Sequence, residues 1–301
     1  LATENQRLPF EPMDHRALLG TEGEPTIGGV VAANVSGPRR IQVGACRDSL
    51  IGVRFVDGAG QILKNGGRVM KNVTGYDLVK LMAGSRGTLG VLTEVAFKVL
   101  PETEARATVM IDGLSEHQAV EAMAVALGSP FEVTGAAHLP GSDPVTMLRL
   151  EGFAASVEYR VGRLSELMAP FGAVRAETDP EKVRDAWRQV RDVIPFAEKP
   201  GDVWRVSVKP SDGPGIAARA GGETFFDWGG GLVWALVPEG TDLRERLGAF
   251  AGHATLVRAS EETRARIAPF QPEPAPIAAL SEGLRKQFDP RGILNPGLMS
   301  A

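Results

Sequence analysis

A chain of 301 residues with 43% apolar residues is long enough for two hydrophobic cores. Its formal charge of −4 and pI near 5.7 leave no basic excess, so no nucleic-acid partner is expected. The single cysteine, Cys46, excludes intrachain disulfides and thiolate-ligated clusters. His15, His117, His138 and His253 lie far apart in no ligand spacing, so no metal is expected.

After an irregular start, "IGVRFVDGAGQIL" (51–63) alternates and turns at "DGAG", which predicts a β-hairpin. "YDLVKLMAG" predicts a short helix capped by Asp77 and ended by Gly84. "LGVLTEVAFKVLP" alternates as a strand closed by Pro101. A regular pattern then begins. A strand at 105–111 precedes a helix opened by a Ser115/Gln118 capping box, with Val120, Met123, Ala124 and Leu127 on one face. Strands at 131–139 and 145–151, a helix from Ser156 to Met168 and a strand near 173–177 complete the order βαββαβ.

Asp179 and Pro180 then begin a helix carrying Val183, Trp187, Val190 and Ile194 on one side. The order recurs: strand 203–208, helix 213–220, strands 223–227 and 232–237 around a "GGG" turn, helix 241–250 and strand 254–258. The expected fold is α+β, with a cap of two ferredoxin-like βαββαβ halves sharing antiparallel sheet. The tail from 271 reads as a proline-rich connector and an amphipathic helix with Ile277, Leu280, Leu284 and Phe288 in line, crossing back to the first domain. Expected domains are 1–101, 102–270 and the tail 271–301. The longest apolar runs, such as "LVWALV" at 232–237, fall far short of the roughly 20 residues of a membrane span. No leader with a basic start and apolar middle is visible, which predicts a cytoplasmic location.

The chemistry is concentrated in glycine. In "TIGGVVAANVSG" (26–37), Gly28 and Gly29 lack Cβ, so the backbone can take positive φ and bring amides within reach of a phosphate. Thr26 adds a hydroxyl, and the following residues can start a helix whose first amides favour an anion. A second stretch places Gly84, Gly87 and Gly90 just before the alternating strand, leaving main chain uncovered for the edge of a flat heterocycle. One loop for phosphates and one for a ring describe a nucleotide-containing cofactor.

These residues resemble the FAD-binding flavoproteins of the vanillyl-alcohol oxidase (PCMH) type. The resemblance rests on "TIGGVVAANVSGPRR", "ACRDSLIG", "KNVTGYDLVKLMAGSRGTLGVLTEVAFKVLP" and "FDPRGILNPG". Within that family it is nearest to the FAD-binding subunits of bacterial glycolate oxidases, through "SGPRR", "KNVTGYDL" and "GHATLVRA" (252–259).

The resemblance implies FAD as cofactor, with Thr26, Ile27, Gly28 and Gly29 along the pyrophosphate and flavin and Ala33, Ser36 and Gly37 continuing the wall. It places Gly87, Gly90, Val91 and Leu92 at the adenine end or the pyrophosphate, and Asn295 at the flavin ring. Arg39 and Arg40 read equally as a solvated turn or as partners of a phosphate or an acid substrate. Asn72 and Tyr76 are expected to lock their loop rather than face the site, and His253 to be a structural histidine rather than a base.

Two departures from the family qualify this. Nothing before Thr26 resembles the βαβ lobe that supplies much of the family's pyrophosphate binding, so the FAD domain reads as its second lobe alone, expected to be colourless when purified. No stretch approaches the "GHxGDGNxH" motif of related 2-hydroxy-acid dehydrogenases. The implied function is flavin-mediated electron transfer in a glycolate oxidase complex, beside a catalytic flavoprotein subunit and an iron–sulfur subunit, in the cytoplasm or peripheral to the inner membrane through those partners. The alternatives are a self-sufficient flavin oxidoreductase for a small hydroxy acid such as D-lactate, or a flavin-free scaffold.

Overall fold

The computed structural model describes residues 1–69 and 75–299. Asn72 lies outside the described residues. Strands β1 (Gln6–Arg7), β2 (Leu50–Val56), β3 (Ile62–Gly66), β4 (Val91–Phe97) and β5 (Leu100–Pro101) form a three-stranded antiparallel sheet, β3-β2-β4, beside the short β1-β5 pair. Between them lie short helices α1 (Arg16–Leu19), α2 (Ile27–Ala32), α3 (Arg40–Val43), α4 (Cys46–Ser49) and α5 (Leu78–Met82). The hairpin turns where the sequence indicates, because Asp57 Oδ1 accepts the N–H groups of Ala59 and Gln61 and Gly60 takes φ +86°. Val53 and Phe55 on β2 point inward with Val79 and Met82 of α5, and Phe10 and Val31 complete this core.

The second sheet has eight strands: β6 (Ala105–Asp112), β7 (Gly135–Leu139), β8 (Val145–Gly152), β9 (Val174–Glu177), β10 (Asp202–Val208), β11 (Glu223–Asp227), β12 (Leu232–Val237) and β13 (Gly252–Arg258). Their order is β13-β10-β12-β11-β7-β8-β6-β9, antiparallel throughout. Each set of four has its fourth strand beside its first and its third beside its second, the split βαββαβ arrangement. The two halves join through their second strands, at the pair Phe226–His138.

Helices α6 (Glu116–Leu127) and α7 (Ala154–Met168) come from the first half. Next follow α8 (Pro180–Arg191) and α9 (Ile194–Ala197), then α10 (Gly213–Ala220), α11 (Leu243–Leu247), α12 (Glu261–Arg266) and α13 (Ala275–Phe288). Alternation along β6 shows what each face meets. Ala107, Val109 and Ile111 belong to the core under α6, α7, α10 and α11, whereas Met110 faces a second core with Val183, Trp187 and Val190 of α8 and with Met13 and Leu18 of the N-terminal segment. Both faces are covered, so the inner strands are buried along most of their length, while the edge strands β9 and β13 stay partly exposed.

The capping box of α6 forms between Ser115 and Gln118, but its buried face differs from the expected one. Ala119, Ala122 and Ala126 pack with Val120 and Met123, while Ala124 and Leu127 stay exposed, because small side chains let the helix lie close to the sheet. The tail returns to the small sheet: Gly58 donates its N–H to Phe288 O at 2.8 Å, Arg291 reaches Gly58 O at 2.7 Å, and Phe288 packs on Phe55. Ile277, Leu280 and Leu284 share a stripe on α13 but remain exposed; of the four apolar positions only Phe288 meets a core.

Candidate functional site

The two glycine stretches lie against each other. Helix α2 packs on β4, and the loop before β4 is stitched to the end of α2 by Gly84 N–H to Val31 O at 3.0 Å and Arg86 N–H to Ala32 O at 2.7 Å. Thr26 is the N-cap of α2, its hydroxyl accepting the Gly29 N–H at 3.0 Å. Gly28 and Gly29 are therefore helical residues that do not use the positive φ open to them, and the helix begins at Ile27 rather than after the glycines. Their value is bareness: a Cβ on Gly28 would meet only Leu92, at 3.8 Å, so packing within the chain does not require glycine there. Among the described residues the N–H groups of Ile27, Gly28 and Gly87 have no partner, and the side chains of Ile27 and Val91 are exposed beside them.

Gly87 takes φ +71°, and a Cβ there would lie 2.9 Å from Asn295 Nδ2. Asn295 itself donates to Arg86 O at 2.7 Å, so the tail closes one end of the cradle. The remaining positions are held by contacts within the chain. A Cβ on Gly37 would collide with Glu11 O at 2.2 Å, and one on Gly90 with Phe55 Cδ2 at 2.6 Å. Ser36 Oγ accepts the Cys46 N–H at 3.0 Å, and Ala33 N–H bonds Gly29 O at 2.9 Å. The ring of Tyr76 is 89% exposed, and its carbonyl accepts from Asn65 Nδ2.

The adjacent Arg39 and Arg40 have different fates. Arg39 is buried and grips Glu151 of β8 with Nε at 2.8 Å and Nη2 at 2.6 Å, while Arg149 returns from β8 to Glu11 at 3.0 and 2.9 Å. It is neither a solvated turn nor an anion ligand but part of a clamp that ties the loops at Glu11 and Arg39 to β8 of the eight-stranded sheet. Burial alone raises a carboxyl's pKa, yet Arg149 and Arg39 reverse this and hold Glu151 well below the usual carboxylate range.

Arg40 instead lies over the indole of Trp228, 4.6 Å from its centroid, and Arg205 of β10 lies over the same ring at 4.9 Å. Trp228 is fixed by φ +54° and by Nε1–H to Gly37 O at 3.1 Å. Arg86 extends from the cradle loop over Phe270, 5.0 Å from its centroid. His253 on edge strand β13 is exposed and makes no side-chain hydrogen bond among the described residues, so it is not a satisfied structural histidine. Partial desolvation and the charges of Arg205 and Arg40 hold its imidazole below the ordinary histidine range.

Nothing in sequence spacing singles out Arg86, Arg205 or Trp228; the one signal is an arginine inside the apolar alternation of "VWRVSV". Among the described residues no group of three or more His, Cys, Asp or Glu is placed to share a metal ion.

No protein-family model matches the chain. It is 36% identical over 304 residues to glycolate oxidase subunit GlcE of Escherichia coli (strain K12), a match covering 100% of this chain and 77% of that protein. Among solved structures it resembles an alkyldihydroxyacetonephosphate synthase at TM-score 0.67 and 14% identity, spanning 99% of this chain and 62% of that one. It also resembles the VAO-type flavoprotein MtVAO615 from Myceliophthora thermophila C1 at TM-score 0.59 and 12% identity, spanning 97% of this chain and 62% of that one. These two share the fold. The likeness to GlcE along the whole of this chain, on this fold and around these glycine loops, shows that the chain belongs to the family of glycolate oxidase subunit GlcE.

Proposed function

We propose that this chain is the FAD-binding subunit of a glycolate-oxidising complex, carrying electrons from oxidation of glycolate to glyoxylate. In this reading residues 1–101 and the tail 271–301 hold the flavin, and residues 102–270 cap it. The observation that carries it is the cradle. Gly28, which packing leaves free of any constraint, stands against Leu92, and Gly87 stands against Asn295. Unpartnered N–H groups of Ile27, Gly28 and Gly87 suit phosphate oxygens or the polar edge of a flavin, and exposed Ile27 and Val91 suit its apolar face.

Bound FAD would supply two-electron acceptance from the substrate and delivery to a second carrier. The protein's part is to hold it by main chain, with Asn295 fixing the 86–87 loop. Ala33, Ser36, Gly37 and Gly90 support the cradle from behind. The partners are a catalytic flavoprotein subunit and an iron–sulfur subunit, consistent with GlcE being named as one subunit of an oxidase. No helix among the described residues is long and apolar enough to cross a membrane, which suits a cytoplasmic complex or one resting on the inner membrane through its partners.

The test is to co-express the chain with those partners, isolate the complex and count flavin per chain by absorbance after denaturation. Gly28→Val places a branched side chain in the cradle and is expected to weaken FAD binding at least about tenfold, or about 1.4 kcal/mol, without dissociating the complex. Undiminished flavin in that variant would refute the assignment.

A further inference from the structure

Helix α13 has no fully buried residue, yet the loop that follows it is gathered onto its last turn. Arg285 donates Nη1–H to Leu298 O at 2.6 Å and Nη2–H to Asn295 O and Leu294 O at 2.9 and 3.2 Å. Asp289 Oδ2 accepts the Leu294 N–H at 2.7 Å, which closes the same loop from its other side. A planar fork of donors suits such a cluster of carbonyls, and a helix C-terminus favours the cation. The product is a tied knuckle, residues 289–298, that presents Asn295 at φ +45°.

What the knuckle holds is a single peptide group. Its neighbours in the cradle loop are fixed locally: Arg86 N–H donates to Ala32 O at 2.7 Å, and Ser85 O accepts the Thr88 N–H at 3.0 Å and hydroxyl at 2.7 Å. The carbonyl of Arg86 has one partner among the described residues, Asn295 Nδ2 at 2.7 Å. In a trans peptide the C=O and N–H point in opposite directions, so a carbonyl drawn to the tail turns the Gly87 N–H away from it, toward the open side. Arg86 itself sits at φ +55°, where a residue with a Cβ is strained. Its return to negative φ would rotate the peptide that follows and carry the Gly87 N–H with it. The hydrogen bond from Asn295 opposes that rotation and polarises the peptide, making its N–H the stronger donor.

We propose that Arg285 is a positioning residue for the cofactor: by gathering the tail carbonyls it holds Asn295 on Arg86 O and so keeps the Gly87 N–H turned into the cradle. The orientation of the amide stands on this geometry; its use on a flavin dinucleotide rests on the proposed function. Arg285 acts through Asn295 and touches no cofactor. Lys286, the next residue, spends its charge on Glu282 at the surface.

Nuclear magnetic resonance of the flavin-free chain, with isotope-labelled arginine carbonyls and glycine nitrogens, tests the amide directly. The chain has two Arg–Gly pairs, 86–87 and 291–292, so a carbonyl-to-nitrogen correlation spectrum contains two peaks. Arg285→Met is expected to shift or split the Arg86–Gly87 peak as Asn295→Ala does, Arg285→Lys to restore it in part, and Lys286→Met to leave it in place. In the complex with its partner subunits, Arg285→Met and Asn295→Ala should each weaken FAD at least about tenfold, the double variant no more than either, and Lys286→Met not at all. A long-range charge effect on an anionic cofactor would instead make Lys286→Met as costly as Arg285→Met. A merely structural arginine would lower the melting temperature with the peak and the affinity unmoved. An unmoved Arg86–Gly87 peak in Arg285→Met, or losses of affinity that add in the double variant, would overturn the proposal. If Arg285→Met does not fold, Asn295→Ala decides it, because wild-type affinity in that variant breaks the link. Wild type that binds no FAD overturns the functional reading, whereas FAD held equally by all these variants overturns this inference alone.

Discussion

Removing one partner of the clamp that ties the loops at Glu11 and Arg39 to β8 gives the sharpest test of how this protein is held together. Glu151 has 1% of its side chain exposed and is bound by Arg39 at 2.8 and 2.6 Å and by the Thr134 hydroxyl at 2.9 Å. Arg149 Nε and Arg7 Nη1 stand farther off, at 3.5 and 3.6 Å. The group holds three guanidiniums, Arg7, Arg39 and Arg149, against two carboxylates, Glu11 and Glu151. Arg39→Met removes two charge-assisted bonds but leaves two cations facing two anions, so the loss should be near 3 kcal/mol, the lower end for a broken buried pair.

Glu151→Gln leaves three cations sharing Glu11 alone, and Arg7 Nη1 already lacks a hydrogen-bond partner. That variant should therefore cost more, about 4–5 kcal/mol. The double variant should cost about as much as Glu151→Gln alone, giving a coupling of roughly 3 kcal/mol. Urea unfolding followed by tryptophan fluorescence and near-ultraviolet circular dichroism measures all four proteins. Losses that simply add, or an Arg39→Met change costlier than Glu151→Gln, would contradict the clamp.

The glycines divide by the same logic: Gly28→Ala should leave the melting temperature unchanged or raise it, since alanine favours a helix by about 0.5–1 kcal/mol, while still reducing FAD affinity. Gly37→Ala and Gly90→Ala place a Cβ 2.2 Å from Glu11 O and 2.6 Å from Phe55, and should lose about 1–3 kcal/mol in thermal melts. His138 is fully buried, with Nδ1 3.0 Å from Thr146 Oγ1 and no partner for Nε2, and burial lowers its pKa from 6.5 to about 4. The folded state then binds fewer protons than the unfolded one, so this contribution is complete above pH 6.5 and is lost as pH falls toward 4, a change on the order of 3 kcal/mol that His138→Gln should remove from the pH slope of urea stability. Cys46 is fully buried with its thiol pushed up to about 12, so a disulfide reagent should label it only after denaturant is added; labelling at native rates like those of a free thiol would contradict this placement.

Local chemistry made much of the architecture legible from sequence. Ser115 and Gln118, Asp179 before Pro180, and Asp57 with Gly60 act on their own backbone within a few residues, so their letters suffice to start helices and turn a hairpin. The two βαββαβ halves could be read because alternation and capping recur in order, even though the single Phe226–His138 pairing that joins them leaves no local signature. The glycine stretches at 26–29 and 84–90 were visible as bare main chain, since absence of a side chain is itself a local property. Their positions relative to each other were not.

Tertiary structure alone decided what charge and exposure mean. Two neighbouring arginines look identical in sequence, yet Arg39 meets Glu151, 112 positions away, and Arg40 lies over Trp228 and forms no ion pair among the described residues. Likewise Gly28 is free of packing demands while Gly37 is wedged against Glu11, a distinction that depends on which distant atom lies where a Cβ would be. Periodicity fixes which way a side chain leaves its own element; electrostatic partnership and close approach depend on what the rest of the chain brings to that spot, and no short window contains it.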